Sequence, residues 1–161
     1  MDYLWTPWRY HYVTTTETST GCVFCAAATS GDDENNLIVY RAEHSFVILN
    51  RFPYTTGHIM VVPYAHVASL EKLPDHTLIE IIGLVRDAER HLRTLYQPDG
   101  INVGINIGKS AGAGIATHLH IHALPRWAGD TNFMTVVGET RVLPEDLKVT
   151  WENLRRAFDN P

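Results

Sequence analysis

The sequence predicts an α+β domain built on an antiparallel sheet. Two observations predict this fold class: one long segment has helical periodicity, and the short apolar segments around it are joined by hairpin-like links. The length of 161 residues fits a single domain spanning residues 1–161. Hydrophobic residues make up 45% of the chain, which is typical of a globular protein.

Composition and charge exclude several classes of protein. The chain has 13 lysine and arginine residues and 18 aspartate and glutamate residues, so its net charge is −5 and a basic nucleic-acid surface is not expected. No apolar run approaches the roughly 20 residues that a membrane span requires. The N-terminus lacks a signal-peptide pattern, and two cysteines are too few for a disulfide scaffold. We therefore expect a cytoplasmic protein that binds neither nucleic acid nor membranes.

The first third of the chain predicts an arm followed by three strands. Residues 1–20 form an N-terminal arm rich in tryptophan and tyrosine, which must pack on the domain or on a second subunit. The polar residues 31–36 predict a turn. Short apolar runs at 37–40 and 45–49 predict two strands, and residues 58–63 predict a third.

Residues 75–96 predict the main helix. Asp75 is placed to cap its first turn. Apolar side chains recur at helical spacing and are expected to face the core. They are Leu78, Ile81, Ile82, Val85, Leu92 and Leu95.

The remaining elements are two strands, a loop and a final helix. Residues 101–107 alternate strictly between branched apolar side chains and asparagine or glycine, which predicts a strand. The glycine-rich residues 108–117 predict a loop, and residues 118–125 predict the fifth strand. The last predicted helix spans residues 143–158 and is opened by Pro144.

Three histidines in five residues are the strongest functional signal. Alternate side chains of a strand share a face, so His118, His120 and His122 should point together, with the apolar residues between them facing the core. Each imidazole carries two polar nitrogens that need partners, so this is an unusual way to build a core. A histidine-rich surface and a three-histidine metal site are the alternatives to a site for phosphate chemistry.

Phosphate chemistry suits imidazole best. Neutral imidazole is a good nucleophile near pH 7, and its protonated form is a good acid. Cleavage of a phosphoester needs attack on phosphorus and protonation of the leaving oxygen. Neighbouring imidazoles can orient the nucleophile and stabilise the negative charge that develops on the phosphoryl oxygens. The residues alone do not say which histidine attacks.

The segment His-Leu-His-Ile-His-Ala-Leu at 118–124 resembles the signature of the histidine triad (HIT) family of nucleotide hydrolases and transferases. The aromatic start at 4–9 and the segment at 126–134 resemble its bacterial diadenosine tetraphosphate phosphorylase or hydrolase branch. The resemblance implies a HIT-like fold: a five-stranded antiparallel sheet with one long helix and a C-terminal helix. It also implies a homodimer that acts on adenine nucleotides and dinucleoside polyphosphates.

The resemblance implies a role for each matching residue. His120 would attack the α-phosphorus and carry a transient nucleotidyl group, and His122 would hold the α-phosphate. His58 would support the triad through hydrogen bonds. Asn50 lies where the family grips the ribose hydroxyls, and Asn106 would contact phosphate. His118 completes the triad.

The glycine-rich loop is the expected phosphate-side segment. Its glycines allow the backbone to approach a ligand closely, and a lysine adds a polar contact. The loop residues implicated are Gly108, Lys109, Gly112, Ala113 and Gly114. The phosphorylase branch carries Gly-Ser, and many hydrolases carry Gln-Ser or Gln-Thr, at the positions of the Ala-Gly pair here. The final acceptor, water or phosphate, therefore stays open. Trp127 is either a core residue or reaches the nucleotide or the neighbouring subunit.

The pair Cys22 and Cys25 has the spacing that can hold zinc. Two buried thiols and a redox pair are the alternatives. The resemblance to zinc-containing bacterial HIT proteins implies that His66 and His118 complete a structural zinc site. A magnesium ion could accompany the substrate phosphates, although no acidic cluster indicates a dedicated site.

The sequence thus favours a HIT enzyme that cleaves dinucleoside polyphosphates, with diadenosine tetraphosphate as the expected substrate. Three alternatives remain: a nucleoside phosphoramidase, a nucleotide-binding module without catalysis, and a zinc-stabilised interaction protein.

Overall fold

The computed structural model describes residues 21–131, 135 and 143–160, so the aromatic arm 1–20 lies outside the described residues. The strands are β1 (Ile38–Arg41), β2 (Ser45–Leu49), β3 (Ile59–Pro63), β4 (Gly100–Ile105) and β5 (Ile121–Arg126). The helices are α1 (Val23–Ser30), α2 (Asp33–Asn36), α3 (Asp75–Tyr96) and α4 (Leu147–Asp159). Two short 3-10 turns lie at Leu70–Lys72 and Lys109–Ala111.

The strands form one five-stranded sheet in the order β1-β2-β3-β5-β4. Every neighbouring pair is antiparallel, which confirms the predicted α+β class. In the β3–β5 pair, Ile59 lies opposite Ala123 and Met60 lies opposite His122. This register assigns the alternating residues of the two strands to opposite faces of the sheet.

One face of the sheet carries the main hydrophobic core, which α3 and α4 cover. Burial of these apolar side chains is the main source of stability, at about 25 cal/mol per Å² removed from water. The sheet contributes Val39, Val47, Leu49, Ile59, Val61, Ile121 and Ala123, the segment before β5 contributes Leu119, and the helices contribute Ile81, Leu84, Ala88, Leu92, Leu154 and Phe158. The apolar residues that alternate with the histidines thus face this core, as the strand pattern predicts.

The opposite face carries a second, smaller core beneath α1. Phe24 and Ala27 of α1 pack with side chains of β1, β2 and β3. The guanidinium of Arg41 donates hydrogen bonds to the carbonyl oxygens of Ala28 (2.8 Å) and Ala27 (3.3 Å) and to the carboxylate of Asp33 (2.9 Å). Arg41 therefore fixes the C-terminal end of α1 to the first strand.

The long helix has the predicted bounds, Asp75–Tyr96. The N-cap is Pro74, so Asp75 lies in the first turn instead of capping it. The helix buries a single stripe against the sheet, so two of the side chains expected in the core point outward: Ile82 is 63% exposed and Leu95 is 38% exposed.

Several predicted boundaries shift because local hydrogen bonds end or begin an element. The fifth strand begins at Ile121 instead of residue 118, since the Leu119 amide donates to the Val67 carbonyl at 2.7 Å. The fourth strand ends at Ile105. The C-terminal helix begins at Leu147 instead of residue 143, because the Asp146 carboxylate accepts from the Lys148 amide at 2.8 Å and caps it.

Helix α1 is absent from the predicted elements, although it carries the cysteine pair. The segment 31–36, predicted as a turn, contains the single helical turn α2. Among the described helices, none is long and apolar enough to cross a membrane.

Gly57, immediately before His58, is required by both conformation and space. Its φ of +80° lies in the left-handed region that side chains disfavour. A Cβ at this position would lie 3.0 Å from Tyr96 Cε2 and 3.1 Å from Leu92 Cδ2. The turn that leads into β3 therefore packs directly on the end of α3.

We predict that Gly57→Ala destabilises the protein by about 2–5 kcal/mol, because a positive φ costs about 1–2 kcal/mol and overpacking adds about 1–3 kcal/mol. Gly31→Ala is the matched control, since Gly31 has a φ of +70° but open space around its Cβ direction. It should lose only the conformational part. Urea unfolding measures both variants, and equal losses would contradict the proposed crowding at residue 57.

Candidate active site and metal cluster

The histidines collect on the sheet face opposite the main core. His122 lies in β5 opposite Met60, and His58 directly precedes β3, so the two rings are neighbours. The ring centroids of His58 and His122 are 5.1 Å apart, and those of His120 and His122 are 4.9 Å apart. His58 and His120 are buried, with 1% and 4% of their surface exposed.

Hydrogen bonds fix the tautomers of His58 and His122. The amide of Tyr54 can only donate, so His58 Nδ1 accepts from it at 3.1 Å and the neutral ring carries its proton on Nε2. That Nε2–H donates to His122 Nδ1 at 2.9 Å. Neutral His122 therefore carries its own proton on Nε2, where it can serve as a hydrogen-bond donor.

His120 has the opposite tautomer. Its Nδ1 lies 2.9 Å from the carbonyl oxygen of His118, which can only accept, so Nδ1 carries the proton. Burial lowers the pKa of the His120 imidazole below its usual range, which keeps the ring neutral near pH 7. Its Nε2 thus holds a free lone pair in the neutral state, which is the requirement for a nucleophile.

His118 is directed away from this chemistry. Its Nε2–H donates to the Pro63 carbonyl at 2.8 Å, so its Nδ1 lone pair faces the cysteines. Burial also lowers the pKa of His118, with the Pro63 carbonyl acting in the opposite direction. The ring is therefore prepared to act as a neutral ligand, and its backbone carbonyl is what orients His120.

The four residues predicted as metal ligands are brought together. One ligand atom from each of Cys22, Cys25, His66 and His118 lies within 4.8 Å of all the others. His118 Nδ1 lies 3.3 Å from Cys22 Sγ and 3.6 Å from Cys25 Sγ, and His66 Nδ1 lies 3.2 Å from Cys25 Sγ. Tetrahedral zinc with its usual bond lengths places neighbouring N and S ligands about 3.5 Å apart.

The chemistry of this donor set fits zinc. Two thiolates and two neutral imidazoles form the Cys2His2 combination of structural zinc sites. Burial raises the pKa of Cys25, and the neighbouring Cys22 acts in the same direction. A cation bound among the four residues would favour the thiolate form of both cysteines. Four protein ligands would leave no open position on the ion for water.

Asn50 directly follows β2 and lies beside the hydrogen bond that joins His58 to His122. Its Nδ2 is 3.4 Å from His58 Nδ1, and its Oδ1 accepts from the Phe52 amide at 2.9 Å. The ring of Tyr54 packs against His58, with the two ring centroids 4.7 Å apart. Sequence reasoning missed Tyr54, whose position four residues before a histidine carries no recognisable motif.

The glycine-rich loop begins where β4 ends. Asn106 directly follows the strand, one step beyond the Ile105–Ile121 pair, and lies on the side of the sheet that the histidines occupy. Gly108 and Gly112 have φ values of +84° and +89° and flank a 3-10 turn that contains the exposed Lys109. Ala113 and Gly114, both half-buried, follow this turn. The expected phosphate-side segment is thus adjacent to the histidine strand.

Some of the loop amides are occupied inside the loop itself. The amides of Ala111 and Ala113 donate to the Gly108 carbonyl, and that of Gly112 donates to the Lys109 carbonyl. Contacts with a phosphate through these three amides would require the turn to open.

Trp127 is half-buried in the turn that follows β5. The carboxylate of Asp130 accepts from the Trp127 amide at 3.3 Å and from Arg126 Nη2 at 2.9 Å. The Arg126 guanidinium beside it lowers the pKa of Asp130 to about 2. This ion pair fixes the turn, and therefore the backbone of Trp127, to the end of the sheet.

The chain is similar in sequence and in structure to known proteins. It is 38% identical over 154 residues to the AP-4-A phosphorylase of Mycobacterium tuberculosis (strain CDC 1551 / Oshkosh), which covers 91% of this chain and 79% of that protein. A Zn-bound histidine triad family protein from Mycobacterium smegmatis superposes with a TM-score of 0.68 at 29% identity, covering 89% of this chain and 95% of that one.

A second solved structure has a similar fold. A hypothetical histidine triad nucleotide-binding protein from Sulfolobus tokodaii superposes with a TM-score of 0.70 at 27% identity, covering 86% of this chain and 93% of that one. The HIT domain family profile matches residues 32–129. These residues include the five strands, the long helix and the histidine cluster, and with them the chain belongs to the HIT family.

Proposed function

We propose that the protein is a nucleotidyl hydrolase or transferase that cleaves dinucleoside polyphosphates, with diadenosine tetraphosphate as substrate. The observation that carries the proposal is the division of tautomers between two adjacent imidazoles: His120 has a lone pair on Nε2, and His122 has a proton there. The similarity to a protein named AP-4-A phosphorylase supports the choice of substrate.

In the first step, the Nε2 lone pair of His120 attacks the α-phosphorus. An N–P bond forms, and the P–O bond to the leaving nucleoside polyphosphate breaks. The Nε2–H of His122 donates to a phosphoryl oxygen as negative charge develops there. With diadenosine tetraphosphate, this step leaves AMP on His120 and releases ATP.

In the second step, an acceptor takes the nucleotidyl group and the N–P bond breaks. Inorganic phosphate as acceptor yields ADP, and water yields AMP. The proton of the acceptor passes to solvent as its new P–O bond forms. The electron pair of the breaking N–P bond returns to Nε2, which restores the neutral His120 imidazole. The residues of this chain do not favour one acceptor, because Ala113 and Gly114 carry neither a hydroxyl nor an amide side chain.

Substrate binding is assigned to the residues around the two imidazoles. Asn50 would hold the ribose hydroxyls from the end of β2. Asn106 and Lys109 would contact the phosphates, with Gly108, Gly112, Ala113 and Gly114 providing close backbone approach. Trp127 would contact the nucleotide or the partner subunit. A magnesium ion that arrives with the substrate phosphates stays a prediction.

We also propose that Cys22, Cys25, His66 and His118 hold a structural zinc ion. When bound, the ion supplies a cross-link between α1, the segment after β3 and the histidine strand, without activating water. The ring of His118 would bind the ion, and its backbone carbonyl oxygen accepts the hydrogen bond from His120 Nδ1.

The proposed homodimer would use the exposed edge of the sheet and the outer side of α3. Strand β4 lies at the edge, and its Val103 is 50% exposed. Ile79 and Ile82 are 74% and 63% exposed one helical turn apart. Such adjacent apolar side chains on a helix surface indicate an interface. A second copy of the chain would cover them.

We predict that His120→Ala lowers the turnover of diadenosine tetraphosphate by at least about 10³-fold, because removal of a nucleophile eliminates the covalent route. Chromatography of the products with and without phosphate measures the rate and identifies the acceptor. His76→Ala is the control, since His76 is exposed on α3. Thermal shift with AMP verifies that the His120 variant still binds nucleotide.

Other outcomes have distinct meanings. Turnover retained by His120→Ala would contradict its role as nucleophile. Stabilisation of the wild type by nucleotides without turnover would indicate a binding module. Cleavage of nucleoside phosphoramidates in preference to dinucleoside polyphosphates would identify the protein as a phosphoramidase.

We predict about one equivalent of zinc per chain by elemental analysis, and its loss in Cys25→Ser. Free zinc at about 1,000 times its Kd contributes about 4 kcal/mol, which corresponds to roughly 8–16 °C in Tm for a chain of this size. Calorimetry with and without a chelator measures the change. His44→Ala is the control for a histidine outside the cluster, and a metal-free protein of undiminished Tm would refute the zinc site.

We predict that Ile82→Arg converts a dimer to a monomer, because a buried unpaired charge is costly at an apolar interface. Light scattering after size exclusion measures the mass. Val149→Arg is the control, since Val149 is 45% exposed on a different helix, α4. A dimer that survives Ile82→Arg would place the interface elsewhere.

A further inference from the structure

In the sequence, Phe24 lies between Cys22 and Cys25, the two cysteines of the metal cluster. It is 3% exposed in the first turn of α1. Its ring centroid is 5.4 Å from that of His118, edge-to-face at 74°, and 5.1 Å from that of His120 at 51°. One aromatic ring therefore contacts two of the three triad imidazoles.

The contact with Phe24 adds a second restraint on the orientation of the His120 ring. Its described hydrogen bond to the protein, from Nδ1 to the His118 carbonyl, fixes one point of the ring. A planar ring held at one point can still tilt about that bond, and packing on its other sides limits the tilt. Phe24 lies on one side, and His122 lies on another at 4.9 Å.

The position of Phe24 depends in turn on the two ends of α1. Arg41 holds the C-terminal end through the carbonyls of Ala27 and Ala28. At the N-terminal end, Cys22 is the N-cap residue but makes no side-chain capping hydrogen bond. This end is held on the sheet by the burial of Phe24 in the small core and by the contacts of the cysteine sulfurs with His118 and His66.

We propose that Phe24 is a positioning residue that transmits the geometry of the metal cluster to the nucleophile. The small core and the cysteines on either side of Phe24 together set the place of its ring, and the ring holds the His120 imidazole so that Nε2 faces the substrate phosphorus. This inference rests on the proposed function for its catalytic consequence, but the contact itself exists in the ligand-free protein. The metal site would then affect His120 without contacting substrate.

The test compares Phe24→Leu with Phe46→Leu in the zinc-loaded protein. Phe46 is fully buried in the same small core and packs on Tyr64, so its substitution is a matched loss of an aromatic ring. Imidazole ¹H–¹⁵N correlation spectra without substrate report the tautomer and environment of each histidine. We expect changed His120 signals in Phe24→Leu, and His120 signals like those of the wild type in Phe46→Leu.

Kinetics provide the second readout. Phe24→Leu should lower kcat for diadenosine tetraphosphate about tenfold, with KM within about twofold and zinc content unchanged, whereas Phe46→Leu should lower kcat by less than twofold. Equal effects of the two variants on the His120 signals and on kcat would overturn the proposal.

A measurement on the wild type covers the case in which Phe24→Leu does not fold. Stepwise removal of zinc by a chelator should shift the signals of the Phe24 ring and of His120 together, in proportion to the metal lost. His120 signals that stay constant, or that shift while those of Phe24 do not, would overturn the proposal. The spectra need no substrate, so absence of turnover in the wild type would contradict the proposed function and leave this test intact.

Discussion

The chemistry of the site depends on the hydrogen bond between His120 Nδ1 and the carbonyl oxygen of His118. A carbonyl oxygen can only accept, so this bond determines which nitrogen of the ring keeps its lone pair. His58 Nδ1 accepts a hydrogen bond from the Tyr54 amide, so the proton of the neutral His58 ring is on Nε2. His58 Nε2–H therefore donates to His122 Nδ1. Two adjacent imidazoles thus acquire different roles from backbone groups that cannot change their protonation.

The sheet makes this arrangement possible because its two faces carry different kinds of side chain. Leu119, Ile121 and Ala123 anchor the histidine segment in the main core, where each is at most 2% exposed. The alternation of β5 directs His122 to the other face, and the ring of His120, which directly precedes β5, lies beside it. Burial on that face lowers the pKa of His118 and His120, so the same packing that stabilises the fold keeps these rings neutral.

Much of the fold follows from local patterns in the sequence, and the exceptions have physical reasons. The bounds of α3 follow from its periodicity, and the grouping of the triad follows from the alternation of a strand. The exposure of Ile82 does not follow, since a helical pattern gives the apolar positions but not the width of the stripe that the sheet covers. Helix α1 was missed because its short apolar run has a cysteine at the N-cap instead of a usual capping residue. The role of Tyr54 is carried by a backbone amide, which no side-chain motif reports.

In the proposed mechanism, the ring of His118 is committed to contacts outside the reaction. Its Nε2–H is committed to the Pro63 carbonyl, and its Nδ1 faces two cysteine sulfurs. What remains for the reaction is its carbonyl oxygen, which any residue with the same backbone position would supply. With zinc bound as proposed, the requirement for histidine at this position comes from the metal ligands, while the position of its backbone carbonyl matters for His120. The two proposed sites are joined at one residue, and the segment before β5 that carries His118 cannot shift for one of them without disturbing the other.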